Sequence, residues 1–183
     1  MLQKCSVWKV ARIFFDEPKK EHYLMEISRK SSLSHTSVKN HLKTLKEKNL
    51  VGKEEKKRGE RTYPIYKSNL ENEEYKNFKK VDMIRRLHEI DLIKHLESSY
   101  QPNCIVLFGS AARGEDTEES DVDLYIQAEE RTQNNEGEKI LEFEEKLNRE
   151  IQLHVKPDFS EYPEELKNNI ANGTVLYGYL EIF

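Results

Sequence analysis

The sequence predicts an α+β chain of two modules joined by a helical connector, and three observations carry that prediction. Charge is divided unevenly along the chain. Amphipathic helical segments lead into a basic hairpin before residue 67. A wholly apolar run, Cys104 to Phe108, stops at Gly109-Ser110 and is followed by an alternating strand from Val122 to Ile126.

At 183 residues, 36% apolar and 35% charged, the chain suits two small domains better than one thick core. Residues 1–67 hold 17 Lys+Arg against 8 Asp+Glu, and the remainder 13 against 26; these surpluses of +9 and −13 make up the overall −4. A basic module joined to an acidic one points to a polyanionic partner for the first. Cys5 and Cys104 stand far apart with no metal-ligand spacing, so each is expected to be a small buried apolar residue in a reducing compartment. No signal peptide or membrane-length apolar stretch is present, and a cytoplasmic protein with no membrane partner is expected.

In the basic module, Val7, Val10, Ala11, Phe14 and Phe15 recur at helical spacing and place a first helix at roughly 3–15, with Pro18 after its end. Tyr23, Leu24 and Ile27 mark a short second helix. Ser34 is the expected N-cap of a third, in which Val38, Leu42 and Leu45 line one face. Its short polar residues His35, Thr36, Ser37 and Asn40 suit base edges, and Lys39 and Lys43 suit phosphates, as in a helix that enters a major groove. Extended pieces at about 50–56 and 61–66 flank a tip holding Lys57, Arg58 and Gly59, a basic hairpin of the kind that forms the wing of a winged helix. The order Val38…His41-Leu42…Leu45…Asn49-Leu50-Val51, followed by this hairpin, resembles prokaryotic winged helix-turn-helix regulators over residues 1–67. That resemblance implies binding of double-stranded DNA through His35, Thr36, Ser37, Lys39, Asn40, Lys43, Lys57 and Arg58. It also leads us to expect a homodimer, because such proteins commonly read two half-sites. His35 and His41 have no third ligand at useful spacing and are expected in or near the groove, not on a metal.

The connector, residues 68–100, lacks Gly and Pro over 70–99 and reads as one long helix or two shorter ones. Phe78, Val81, Ile84, Leu87, Ile90, Ile93 and Leu96 recur every three residues, so the stripe drifts around a helix and serves more than one packing partner.

The remaining residues, 101–183, carry the chemistry. Asp121 and Asp123 stand two apart, which puts both carboxylates on one face of a strand. Adjacent carboxylates repel unless a cation lies between them, and Mg²⁺ prefers such hard oxygen donors together with phosphate oxygens. A Gly-Ser turn lets backbone amides and a hydroxyl approach phosphate closely, and Arg113 can pair with phosphate or with the acidic loop beside it. The stretch FGSAARG…SDVDL, with ten residues between Gly109-Ser110 and Asp121-Val122-Asp123, resembles the minimal members of the nucleotidyltransferase superfamily. The resemblance implies a mixed sheet, metal and catalysis at Asp121 and Asp123, a triphosphate near Gly109, Ser110 and Arg113, and the cofactors Mg²⁺ and a nucleoside triphosphate, with ATP favoured. Active members carry a third acid on a later strand. Here that strand is Ile151–Val155, where Gln152 occupies the expected position and His154 shares its face. Three readings follow. One is a DNA-binding transferase acting on an acceptor hydroxyl, and another a transcriptional regulator whose impaired domain only senses nucleotide. The third is an antitoxin-like protein that neutralises a partner protein by contact. Tyr177 and Tyr179 are read as core or surface tyrosines in preference to acceptors for adenylylation.

Overall fold

The structure is a computed structural model that describes residues 5–129 and 136–181. It divides into two compact units, Met1–Lys79 and Lys80–Phe183.

The first unit contains α1 (Ser6–Asp16), β1 (His22–Tyr23), α2 (Leu24–Ser31), α3 (His35–Glu47), β2 (Val51–Arg58) and β3 (Arg61–Ser68). Its three strands form an antiparallel sheet in the order β1-β3-β2, with Val51 opposite Ser68 and Arg58 opposite Arg61. Gly59, at φ +64°, supplies the left-handed residue of the tight β2–β3 turn. Ser34 caps α3 by accepting a hydrogen bond from the Ser37 amide at 3.3 Å. Val10, Phe14, Ile27, Val38 and Leu42 are fully buried and close the core between the three helices. Cys104 is buried as expected, but Cys5 is exposed, because it stands outside the amphipathic stripe, at the N-cap of α1.

The boundary between the units falls inside a helix, α4 (Glu73–Glu89), followed by α5 (Leu92–Tyr100). The drifting stripe is shared out. Tyr75 and Phe78 join the first unit's cluster, while Met83, Leu87, Leu92, Ile93 and Leu96 join the second's. Tyr75 is buried and its hydroxyl donates to the Phe14 carbonyl at 2.7 Å. With neither Gly nor Pro at hand, the chain breaks the helix at Asp91, which adopts a left-handed φ of 62°. Val81, one member of the stripe, is exposed instead.

The second unit continues with β4 (Cys104–Phe108), α6 (Gly109–Arg113), β5 (Val122–Gln127), α7 (Glu136–Leu147), β6 (Ile151–Val155), a 3₁₀ turn at Phe159–Glu161, α8 (Glu164–Ala171) and β7 (Thr174–Gly178). The sheet order is β6-β5-β4-β7. It is mixed: β5 and β6 are parallel, joined by the α7 crossover, and the other pairs are antiparallel. Helical residues Leu87, Leu92, Leu96 and Leu147 cover the face that carries Ile105, Leu107, Leu124 and Ile126. Phe159 and Ile170 cover Cys104, Val106, Phe108 and Tyr125 on the other. Burial on both faces is why β4 reads as an unbroken apolar run. No helix among the described residues is long and apolar enough to cross a membrane.

Candidate active site

The end of β4 and the start of β5 lie side by side, because antiparallel pairing sets Phe108 opposite Asp123. The chain turns at once after Phe108 into α6, and Gly109 makes the turn at φ +71°. A methyl group on Gly109 would sit 2.3 Å from Asp123 Oδ2, so the turn and the carboxylate are in direct contact by virtue of the missing side chain. Ser110 follows, half-buried, beside this contact in sequence.

Asp123 is half-buried, and desolvation raises its pKa above the usual carboxylate range. The His154 ring works in the opposite direction, the charge of Asp121 adds to the rise, and the Arg113 guanidinium again lowers it. Asp121 lies immediately before β5 and is half-buried as well. The charge of Asp121 is thus felt at Asp123.

Strand β6 completes the rim. Its parallel register pairs Asp123 with Gln152 and Tyr125 with His154, so Gln152 and His154 emerge on the face that carries Asp123. Gln152 Nε2 donates to Asp121 Oδ2 at 2.5 Å, and His154 Nε2 lies 3.9 Å from Asp123 Oδ1. The His154 ring is braced edge-on by Phe108 at 5.2 Å and by Tyr162 at 6.4 Å. The resemblance to active nucleotidyltransferases puts Gln152 where an acid is expected; its hydrogen bond to Asp121 depends on strand pairing across 31 residues and has no local signal. Arg113 is exposed and donates to Glu115 Oε2 at 2.9 Å, the acidic-loop partner of the two considered for it. An open depression of about 430 Å³ lies next to Asp121, lined by Glu118, Glu119, Glu144, Asn148, Arg149 and Glu150 among others.

In the first unit, His35, Thr36, Lys39, Asn40 and Lys43 are exposed on α3 and Ser37 is half-buried. Lys57 is exposed near the hairpin tip. Arg58 ends β2, and its side chain is outside the described ones. Lys39, Lys43 and Lys46 of α3 and Lys53 of β2 line a shallow groove together with Leu42, Tyr66 and Glu47, and Glu47 lies 3.8 Å from Lys43.

The family model described as "Polymerase beta, Nucleotidyltransferase" matches residues 90–181, which cover the whole strand–turn–strand constellation. A protein of Methanocaldococcus jannaschii named as a protein adenylyltransferase is 36% identical over 74 residues, a stretch that covers 39% of this chain and 70% of that relative. With a matching four-stranded mixed sheet, a Gly-Ser turn in contact with Asp123 and a family match over half its length, the chain belongs to the polymerase beta-like nucleotidyltransferases.

Proposed function

We propose that this protein binds double-stranded DNA through its first unit and, at the site formed by Asp121 and Asp123, transfers the AMP moiety of ATP to an acceptor hydroxyl: the acceptor oxygen bonds to the α-phosphorus, the α–β phosphoanhydride bond breaks, pyrophosphate leaves and the hydroxyl proton passes to solvent. The observation that carries the transferase half is the contact between the Gly109 turn and Asp123, with Asp121 close enough to shift its protonation. This oxygen-rich, partly desolvated pair fits Mg²⁺, for which carboxylates and phosphate oxygens are the preferred donors. An ion held there with the triphosphate would supply charge neutralisation at the attacking and leaving oxygens. The protein's own contribution is positioning. The Gly109-Ser110 turn offers backbone amides and a hydroxyl to phosphate oxygens, and Asp123 is fixed by β5 against that turn. Arg113 reaches phosphate by exchanging its Glu115 partner. The acceptor approaches from the depression beside Asp121. The name of the M. jannaschii relative favours a protein side chain as the acceptor class.

A second reading is favoured by one specific contact. Gln152 donates a hydrogen bond to Asp121 where an acid would share the metal, so the site binds nucleotide while transferring slowly, as a nucleotide-sensing regulator would. Gln152→Glu separates the two readings. Restoring a carboxylate adds a third anionic donor and is expected to raise Mg²⁺-dependent incorporation of labelled AMP about tenfold. It also lowers the thermal stability of the metal-free protein by like-charge repulsion with Asp121. Unchanged incorporation and unchanged Mg²⁺ affinity would mean that Gln152 does not stand at the metal.

For the DNA half, the support is the surface that α3 and β2 make together. The first unit has the helix order and antiparallel hairpin of a winged helix, with His35, Thr36, Ser37 and Asn40 early on α3, Lys57 and Arg58 at the hairpin tip, and the lysine-lined groove between. Lysines spaced along a groove suit a phosphate backbone. Alanine at Lys39 and at Lys43 should each weaken DNA binding and reduce the slope of log K against log salt by about 1. If both variants keep the wild-type affinity and slope in a salt titration, the first unit does not read DNA in this way. We include a homodimer and a cytoplasmic setting in the proposal, on the half-site argument and the sparse, widely separated cysteines respectively.

A further inference from the structure

We propose that Glu17, His22 and Glu26 form a binding site for a divalent transition-metal ion, with Zn²⁺ the best match. The site belongs to the first unit and is separate from the transferase motif. Glu17 follows the end of α1, His22 is in β1 and Glu26 is in the first turn of α2. One ligand atom from each comes within 4.8 Å of the others.

The histidine is what makes this more than a pair of acids. His22 is fully buried, at 0% exposure, and its ring is held edge-on by Phe14 at 5.1 Å. Nε2 lies 3.4 Å from the Glu17 carbonyl oxygen, which has only lone pairs to offer, so the ring proton belongs on Nε2. Nδ1 is then a lone pair with no hydrogen-bond partner. It points at two anions, 3.5 Å from Glu26 Oε1 and 3.8 Å from Glu17 Oε2. Three electron-rich atoms face one another around this buried nitrogen, a donor arrangement that a cation seated among them would satisfy.

The donor set is that of zinc: one imidazole nitrogen and carboxylate oxygens, with a remaining position for water. The second ring nitrogen donates to a backbone carbonyl, the arrangement that orients metal-bound histidines. Two ammonium groups now balance the carboxylates. Lys20 lies 3.0 Å from Glu17 and 3.2 Å from Glu26; Lys30 pairs with Glu17 and lies 3.2 Å from Glu26. Both lysines sit on flexible, partly exposed stems. A dication replaces two monovalent ammoniums without changing the cluster's charge, and the displaced lysines swing into solvent.

The test uses metal-free, full-length protein carrying Asp121→Asn and Asp123→Asn, so that the transferase site contributes no signal. Zn²⁺ is titrated by calorimetry in excess Mg²⁺. One equivalent should bind, and adding Glu17→Gln or Glu26→Gln should weaken it at least about tenfold each. Because a substitution of buried His22 risks the fold, the histidine is followed directly. The ¹⁵N resonance of its Nδ1 should shift on Zn²⁺ addition, with circular dichroism confirming folded glutamine variants. No equivalent bound, binding indifferent to both glutamine substitutions, or an unmoved Nδ1 resonance would each overturn the proposal. None of these outcomes bears on the transferase reading.

Discussion

Asp123→Asn is expected to lower Mg²⁺-dependent transfer of AMP from ATP by about 10³-fold or more while leaving the metal-free protein at least as stable as wild type. The loss follows from removing one of two anionic donors where metal and phosphates would meet, a contribution of several kcal/mol at about 1.4 kcal/mol per decade. The stability half follows from the pKa direction. Asp123's pKa is raised in the folded protein, first by burial, with Asp121 adding to the rise against the pull of His154 and Arg113. A carboxyl group whose folded pKa lies above its unfolded value favours folding only when protonated. That advantage is lost as pH rises from the unfolded pKa through the folded one, so at neutral pH the charge works against the fold. Asparagine keeps the shape and removes the charge. A melting experiment without metal should place the variant level with or above wild type, and added Mg²⁺ with ATP should raise wild type alone. Transfer at the wild-type rate would dismiss Asp123 from the chemistry.

Gly109→Ala should be nearly as damaging, and for a different reason. The residue needs φ +71°, a region that costs an L-residue roughly 1–2 kcal/mol. The added methyl would also meet Asp123 Oδ2 at 2.3 Å, too close for any relaxed contact. The carboxylate, the turn or both must move, and with them the geometry on which nucleotide binding depends. Gly59→Ala is the internal control. It has the same sign of φ, +64°, with nothing within 4 Å of the new atom. Chemical denaturation should therefore show backbone strain alone at Gly59 and strain plus collision at Gly109. Transfer should fall at least about 10²-fold in Gly109→Ala, since displacement of about 1 Å has that effect on a positioned group, and remain unchanged in Gly59→Ala. Full transfer by Gly109→Ala would show that the turn and the carboxylate need not touch.

Much of the constellation was legible because it is local. Five apolar residues in a row, a Gly-Ser stop and two aspartates one residue apart are all sequence-near, and the register of β4 with β5 brings their ends together. What escaped depends on pairings between distant segments. The Gln152–Asp121 hydrogen bond exists because α7 returns the chain parallel to β5, and the antiparallel placement of β7 along β4 is of the same kind. The Glu17–His22–Glu26 cluster is near in sequence, yet it belongs to no single periodicity: a helix end, a two-residue strand and a helix start bring it together. The break at Asp91 was equally silent, since an aspartate at positive φ leaves no mark that glycine or proline would.

The shared helix α4 has a consequence for where one half of the molecule stops. Tyr75 and Phe78 complete the first core and Met83 and Leu87 the second, on a single uninterrupted run of turns. A fragment ended at residue 67 leaves the Phe14 carbonyl without its tyrosine and an aromatic gap beside Trp8 and Phe15, so the first unit needs the opening turns of α4 to close its core.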